Sequence, residues 1–218
     1  MLEFALIIVF GCSLIFDLGA QYVRASINKI NKSELFAVSN WVQYQARILN
    51  MLSVVSLSYY FEKGGMKGEI KTIFYYALSF SFGIGLLYIT NRKFFSALSS
   101  ILFVTNRVIF KNVGTNDYFF KAKISLNKYF YYSLIVNILL YMAMIVPFVL
   151  ASLKPDIRMT LAYSGQLLNF MGTIINYTLI EPGFYRAVDE RGEESIVSQF
   201  IFAKLASIVF VVGAIAIL

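Results

Sequence analysis

The stretch that decides the fold is KYFYYSLIVNILLYMAMIVPFVLAS, at positions 128–152. Its only charged residue is Lys128, at the first position. A helix needs about 20 predominantly apolar residues to cross the hydrocarbon core of a bilayer. The stretch is therefore long and apolar enough to predict a transmembrane helix.

Five further segments meet or approach the same length, at 3–22, 34–60, 71–90, 159–181 and 196–218. The 218-residue chain is 59% hydrophobic and only 14% charged, whereas soluble domains carry about 25% charged residues. We therefore predict an all-α integral membrane protein with about six transmembrane helices. All of them belong to one transmembrane domain over residues 1–218.

A basic segment, 91–128, separates the third and fourth predicted spans. Within it, 94–110 (FFSALSSILFVTNRVIF) places apolar residues at helical spacing with serines, an asparagine and an arginine between them. This pattern predicts an amphipathic helix in the headgroup plane. A short seventh span or a re-entrant segment is the alternative.

Loop charges predict the orientation. With the N-terminus outside, the inner loops of a six-span chain hold more lysines and arginines than the outer loops, as the positive-inside rule requires. Both termini are thus expected outside. If 94–110 spans the bilayer, everything after it inverts.

Histidine is absent and Cys12 is the only cysteine. Histidine catalysis, histidine metal sites and an internal disulfide are therefore excluded. The carboxylates Asp17, Glu181 and Asp189 show no spacing typical of a metal or hydrolase site. We expect no enzyme activity, no metal and no cofactor.

Polar residues on two predicted spans fall at i, i+3, i+7 and i+10, along one helical face. The second predicted span (34–60, called α2) carries Asn40, Gln43, Arg47 and Asn50, which we name the α2 stripe. The fifth predicted span (159–181, called α5) carries Gln166, Asn169, Thr173 and Asn176, which we name the α5 stripe. Because lipid cannot satisfy amides, such stripes are typical of a water-accessible groove between helices. Hydrogen bonds between helices are the alternative explanation for the amides.

Arg47 is the residue that these alternatives explain least well. A guanidinium among apolar residues costs roughly 2.5 to 3.5 kcal/mol on insertion scales, so it needs a polar cavity, an anion or an ion-pair partner. Asp17 is the candidate partner for a purely structural pair. Lys204, about 8 residues into its helix, is expected to extend its side chain to the inner interface.

Two features concern helix packing. Gly165 and Gly172 are seven residues apart, which predicts a close helix contact along the fifth span. Pro147 interrupts the fourth span, where it is expected to kink the helix or free a carbonyl.

The stretch Arg47-Ile-Leu-Asn50-Met51, after a basic turn that begins at 22–24, resembles the first signature of the Amj-type lipid II flippases of bacteria. KPDIRMTLAYSGQLLNFMGTIINYTLIEP, at 154–182, is similar to their second signature, with Pro155, Arg158, Thr160, Asn169 and Glu181-Pro182. The two regions cover roughly a third of the chain. The family pattern closes with Asp-Pro and places glycine after the asparagine, where this chain has Glu181 and Phe170.

The resemblance implies transfer of lipid II, the undecaprenyl-pyrophosphate-linked peptidoglycan precursor, from the inner to the outer leaflet of the bacterial cytoplasmic membrane. Cations would bind the phosphates: Arg24, Lys29 and Lys32 at the inner mouth, Arg47 midway and Arg158 at the outer end. Amides would hydrogen-bond the sugars or bound water: Gln43, Asn50, Gln166, Asn169 and Asn176. Asp17 and Glu181 would offset the cations.

Six spans make a small enclosure for so large a headgroup. We therefore expect a homodimer with a groove at or beside the subunit interface and a two-fold axis along the membrane normal. Two other functions remain open: the substrate-binding subunit of a vitamin-type transporter, and a structural membrane scaffold.

Overall fold

The computed structural model describes residues 2–25, 32–62, 67–90, 126–154, 158–183, 185 and 194–217. Nearly all of them are helical. The helices of this described part are α1 (Leu2–Ala25), α2 (Lys32–Glu62), α3 (Lys67–Thr90), α4 (Lys128–Leu153), α5 (Arg158–Ile175) and α6 (Glu194–Ile217), and a π-helical turn (Asn176–Ile180) extends α5. The all-helical prediction is confirmed. Each predicted span coincides with a helix, while the segment 94–110 lies outside the described residues.

Two stretches, Lys128–Ala151 of α4 and Gln199–Ile217 of α6, are long and apolar enough to cross a membrane. Phe4–Ala20 and Lys71–Leu87 are shorter apolar helical stretches. Polar residues interrupt the apolar runs of α2 and α5, which lowers the hydropathy of these two helices. The membrane signal of the structure therefore rests on α4 and α6.

The helices form a row with a packed centre. Helix α3 packs on α1 and α4, and α6 packs on α1, α3 and α4, while α2 packs on α1 at one end and α5 packs on α4 at the other. Phe74 anchors the centre, because its buried ring meets Phe10 edge-on at 5.3 Å and lies 6.1 Å from Phe148. The core thus joins α1, α3 and α4 through aromatic side chains.

The contacts also fix the helix directions. Phe10 lies in the first half of α1 and Phe148 near the end of α4, and both meet the same ring, so these two helices of similar length are antiparallel. Gly165 packs against Ala143, and Gly172 against Leu140, which makes α4 and α5 antiparallel. Because a short connection makes α1 and α2 a helical hairpin, α2 and α5 run in opposite directions.

Buried serines let the helices approach closely. The Ser39 hydroxyl donates to the Ala20 carbonyl across the α1–α2 contact at 3.1 Å. Ser81 donates to Ala77 of its own helix at 2.8 Å and approaches the Gly11 carbonyl of α1 at 3.3 Å. A small side chain whose hydroxyl is satisfied by a carbonyl costs little in an apolar interior.

Helix α4 has a defined start and an internal proline. The Asn127 side chain accepts hydrogen bonds from the backbone N–H groups of Tyr129 and Phe130, as an N-cap does. Pro147 lies inside the helix and offers no N–H to the carbonyl of Ala143, four residues earlier. That carbonyl faces Gly165 of α5, where an added Cβ would collide with it and would lie 2.6 Å from Pro147 Cγ.

Glycines occupy three close approaches between α4 and the segment 165–183. A Cβ on Gly172 would lie 3.3 Å from Leu140 Cδ2, and one on Gly183 would overlap the Tyr129 ring. All three of these glycines are buried. The predicted close contact along Gly165 and Gly172 is confirmed.

Candidate functional site

The α2 stripe lies on the outside of the molecule, beside the face that packs on α1. Arg47 and Asn40 are exposed, and Gln43 and Asn50 are half-buried. The neighbouring residues Val42 and Ala46 are buried against α1. The stripe therefore borders a helix contact and opens away from the core.

Arg47 keeps its guanidinium at this outer surface, with its carbon Cζ 5.8 Å from the centre of the Tyr44 ring. Tyr44 precedes it by three residues, so the two side chains lie on one helical face. A guanidinium carries five N–H donors and can hold an oxyanion in a forked geometry. Asp17 is not the partner of Arg47.

Unsatisfied polar atoms line the same helix. Asn50 Oδ1, Gln45 Oε1 and Trp41 Nε1 are buried without a hydrogen-bond partner among the described residues. A buried polar atom left unpaired costs about 1 to 3 kcal/mol, so such atoms indicate places where water or a ligand completes the structure.

The α5 stripe has the same arrangement at the opposite end of the row. Gln166 and Asn169 are exposed, whereas Thr173 and Asn176 are half-buried. The stripe runs beside the glycine face that packs on α4. Both stripes therefore flank the packed face of an outer helix.

Within one chain the two stripes do not share a groove. The face of α2 that contains Val42 and Ala46 packs on α1, and the face of α5 that contains Gly165 and Gly172 packs on α4. The central helices separate the two outer helices. The structure thus places all four residues of each stripe together and keeps the two stripes apart.

Lys204, the second cation within a predicted span, has a role that the sequence interpretation missed. Lys204 Nζ of α6 donates to Asp17 Oδ2 of α1 in an ion pair. The Lys204 side chain is 4% exposed and that of Asp17 is 30% exposed. The expectation that Lys204 reaches the interface is wrong, because the partly exposed carboxylate of Asp17 on a neighbouring helix provides a closer partner. The sequence did contain a signal for this pair: one apolar helix carries an acidic residue, Asp17, and another carries a basic residue, Lys204.

Glu181 follows a local change of helix type. The Glu181 N–H donates to the Asn176 carbonyl five residues earlier, which closes the π-helical turn. Pro182 lacks an N–H and its ring needs room near the preceding turn, and a widened turn provides that room. The Glu181 side chain is buried at this position, so its carboxylate is held inside the bundle.

The basic residues of the expected mouths lie at helix ends. Arg24 is near the end of α1 and Lys32 begins α2, so both positions are at one end of the α1–α2 hairpin. Arg158 begins α5. Since α5 runs parallel to α1, Arg158 lies at the opposite end. The side chains of these three residues and the whole of Lys29 are outside the described part.

Among the described residues no group of three or more His, Cys, Asp or Glu side chains could hold a metal ion. The chemistry of the two stripes is instead that of hydrogen bonding and charge: one guanidinium, six amides and one hydroxyl, with Asn50 Oδ1 unpaired among the described residues. No family model, curated protein or solved structure matches this chain.

Proposed function

We propose that the protein is a lipid II flippase of the Amj type in the bacterial cytoplasmic membrane. It would move the undecaprenyl-pyrophosphate-linked peptidoglycan precursor from the inner to the outer leaflet. The observation that carries the proposal is the exposed guanidinium of Arg47, one helical turn from Asn50, whose buried Oδ1 has no hydrogen-bond partner among the described residues. The guanidinium contacts the Tyr44 ring and forms no ion pair within the described part of the chain, and such a cation suits a phosphate-bearing lipid.

The proposal includes a six-span architecture with both termini outside and an amphipathic segment at 94–110. In this architecture Arg24 and Lys32 lie at the inner mouth and Arg158 lies at the outer end. Cations at both ends of a path and one in the middle match an anionic headgroup that must cross the bilayer.

Transfer requires that the tail stays in hydrocarbon while the headgroup follows a polar surface. The exposed stripes on the outer helices suit this requirement, because a lipid can approach them sideways from the bilayer. Arg47 would bind the pyrophosphate with two of its donors. Gln43, Asn50, Gln166, Asn169 and Asn176 would exchange hydrogen bonds with the sugars or with water, so that no polar group of the headgroup meets lipid tails.

The proposal is tested in a bacterium depleted of its other lipid II flippase. The wild-type chain, Arg47→Ala, Arg47→Lys and the control Lys154→Ala are expressed, and their membrane amounts are compared. Lys154 is an exposed cation away from both stripes. We expect the wild type and Lys154→Ala to sustain growth and surface exposure of lipid II. Arg47→Ala should fail, and Arg47→Lys should retain part of the activity because it keeps the charge but loses the forked geometry.

Each failure has a distinct meaning. If the inserted wild-type chain does not sustain growth, the flippase function is excluded and a transporter subunit for another solute becomes the better interpretation. If the wild type and Arg47→Ala work equally well, the cation has no part in transport, as a scaffold would predict.

A further inference from the structure

The exposed polar groups of a single chain need to be covered. Arg47, Gln166 and Asn169 point out of the molecule on its two outer helices. Lipid tails offer these groups neither an acceptor nor a donor. A protein surface with its own polar groups at the same positions is the covering that hydrocarbon cannot provide.

The spacing of the two stripes identifies such a surface. Each stripe has intervals of three, four and three residues, a pattern that reads the same in both directions. Two antiparallel helices with this pattern can therefore match at every level. The matched levels are Asn40 with Asn176, Gln43 with Thr173, Arg47 with Asn169 and Asn50 with Gln166.

Helix direction and depth agree with this match. Helices α2 and α5 run in opposite directions. The contact of Ser39 with Ala20, the Phe10 and Phe148 rings against Phe74, and the contacts of Gly165 and Gly172 with α4 trace a path across the row. Along this path the two stripes lie at the same depth to within about one to two helical turns, at about 5.4 Å per turn.

Both stripes also lie on the same side of the row. On each outer helix the stripe is rotated about the helix axis by roughly a quarter turn from the packed face. In both helices the rotation runs in the sense in which the residue number increases, given about 3.6 residues per turn. The two helices are antiparallel and stand at opposite ends of the row. The same rotation therefore brings the two stripes to one common side.

We propose that a second copy of this chain covers that side, with α2 of each subunit packed antiparallel on α5 of the other. A two-fold axis along the membrane normal reverses the order of the row, so both stripes of both copies are paired at once. Pairing α2 with α2 would oppose Arg47 to its own copy, and pairing α5 with α5 would leave Arg47 uncovered. Only the crossed arrangement offers Arg47 an amide oxygen, that of Asn169 of the partner subunit.

Each polar seam of the dimer would then contain residues from both subunits. This point rests on the proposed function: the seam would be the headgroup path, incomplete in one chain. The pyrophosphate would meet Arg47 from one subunit and amides from the other. The packing itself does not depend on the identity of the lipid.

The arrangement is tested by cysteine crosslinking in native membranes, in a Cys12→Ser background. Two differently tagged copies are expressed together, one with Tyr44→Cys in α2 and one with Phe170→Cys in α5. Both positions are exposed, at 56% and 62%, and border the stripes at matching depth. With a short bifunctional maleimide we expect a crosslinked product that carries both tags.

The controls separate the alternatives. Tyr44→Cys with Phe210→Cys, an equally exposed position on α6, should give no product, and neither should Tyr44→Cys or Phe170→Cys alone. Self-crosslinking of either single variant, or the absence of any product between subunits, would overturn the crossed dimer. Crosslinking involves no transport readout, so its failure leaves the flippase proposal standing, and a failed growth test leaves the dimer standing.

Discussion

At the scale of single residues, the ion pair of Asp17 and Lys204 is the clearest consequence of burial. Lys204 lies deep between helices at 4% side-chain exposure, and Asp17 is partly open at 30%. Tyr141 of α4 adds a buried hydroxyl without a partner among the described residues. Three helices thus place their polar groups together, which orients α1, α4 and α6 relative to one another.

The unequal exposure predicts unequal effects of removing either charge. Breaking a buried pair costs about 3 to 5 kcal/mol because the remaining charge is left alone. Asp17→Asn leaves the deeply buried ammonium, whereas Lys204→Met leaves a carboxylate that reaches water or headgroups. We therefore expect Asp17→Asn to lower the unfolding temperature of the purified protein in detergent more than Lys204→Met does.

The double variant Asp17→Asn with Lys204→Met is the control for this prediction. It removes both charges, so it should regain most of the stability that Asp17→Asn loses. A double variant as unstable as Asp17→Asn, or a Lys204→Met variant that is the less stable of the two singles, would contradict the role of the pair.

At the scale of helices, the contact of α4 with α5 depends on glycines, whose lack of a side chain lets the two backbones approach closely. Gly165 contacts the Ala143 carbonyl, which receives no hydrogen bond from residue 147 because that residue is proline. Gly172 makes a second close contact with α4 two helical turns after Gly165. Close packing places the Gly165 backbone against the Ala143 carbonyl. The proline and the glycine therefore act as one packing unit across two helices.

A methyl group at Gly165 should separate these helices. Gly165→Ala introduces a Cβ where the Ala143 carbonyl and Pro147 already lie, and overpacking of this kind costs about 1 to 3 kcal/mol. Gly213→Ala is the matched control, because nothing lies within 4 Å of an added Cβ there. Thermal unfolding in detergent should show a clear loss for Gly165→Ala and none for Gly213→Ala. Equal stability of the two variants would show that α5 can move away at no cost.

At the scale of the whole molecule, the chain is a row of helices whose polar faces are at the ends. Helices α4 and α6 lie in or next to the apolar centre and satisfy the criterion for crossing a membrane. Helices α2 and α5 carry the polar stripes and less apolar sequence. A single copy thus exposes the two polar stripes. In a soluble protein such stripes would face water, whereas in a membrane protein they must face a partner or a substrate.

The six-span proposal predicts the location of both ends of the chain. Single cysteines at Phe4 and Ile217, both exposed, in the Cys12→Ser background should react with a membrane-impermeant maleimide in intact cells. A cysteine at Asn127, at the start of α4, should react only after the cells are opened, because the basic segment before it is expected inside. Labelling of Phe4→Cys without Ile217→Cys would indicate an odd number of crossings.

The sequence by itself determined the helices. Their bounds follow from apolar runs broken by polar and glycine-rich connections, and the close contact of Gly165 and Gly172 follows from spacing along one helix. These are local properties, since hydrogen bonds within a helix and the width of a bilayer set them. The composition of each stripe was equally visible, because helical periodicity places its four members on one face.

Only the tertiary structure decided which helices are neighbours. Loop charges and periodicity do not state that α2 packs on α1, that α5 packs on α4, or that Lys204 pairs with Asp17 across 187 positions of sequence. The reason is physical: the apolar faces of several helices can bury one another in many orders, and the order that forms depends on how small residues, rings and charges fit together in three dimensions.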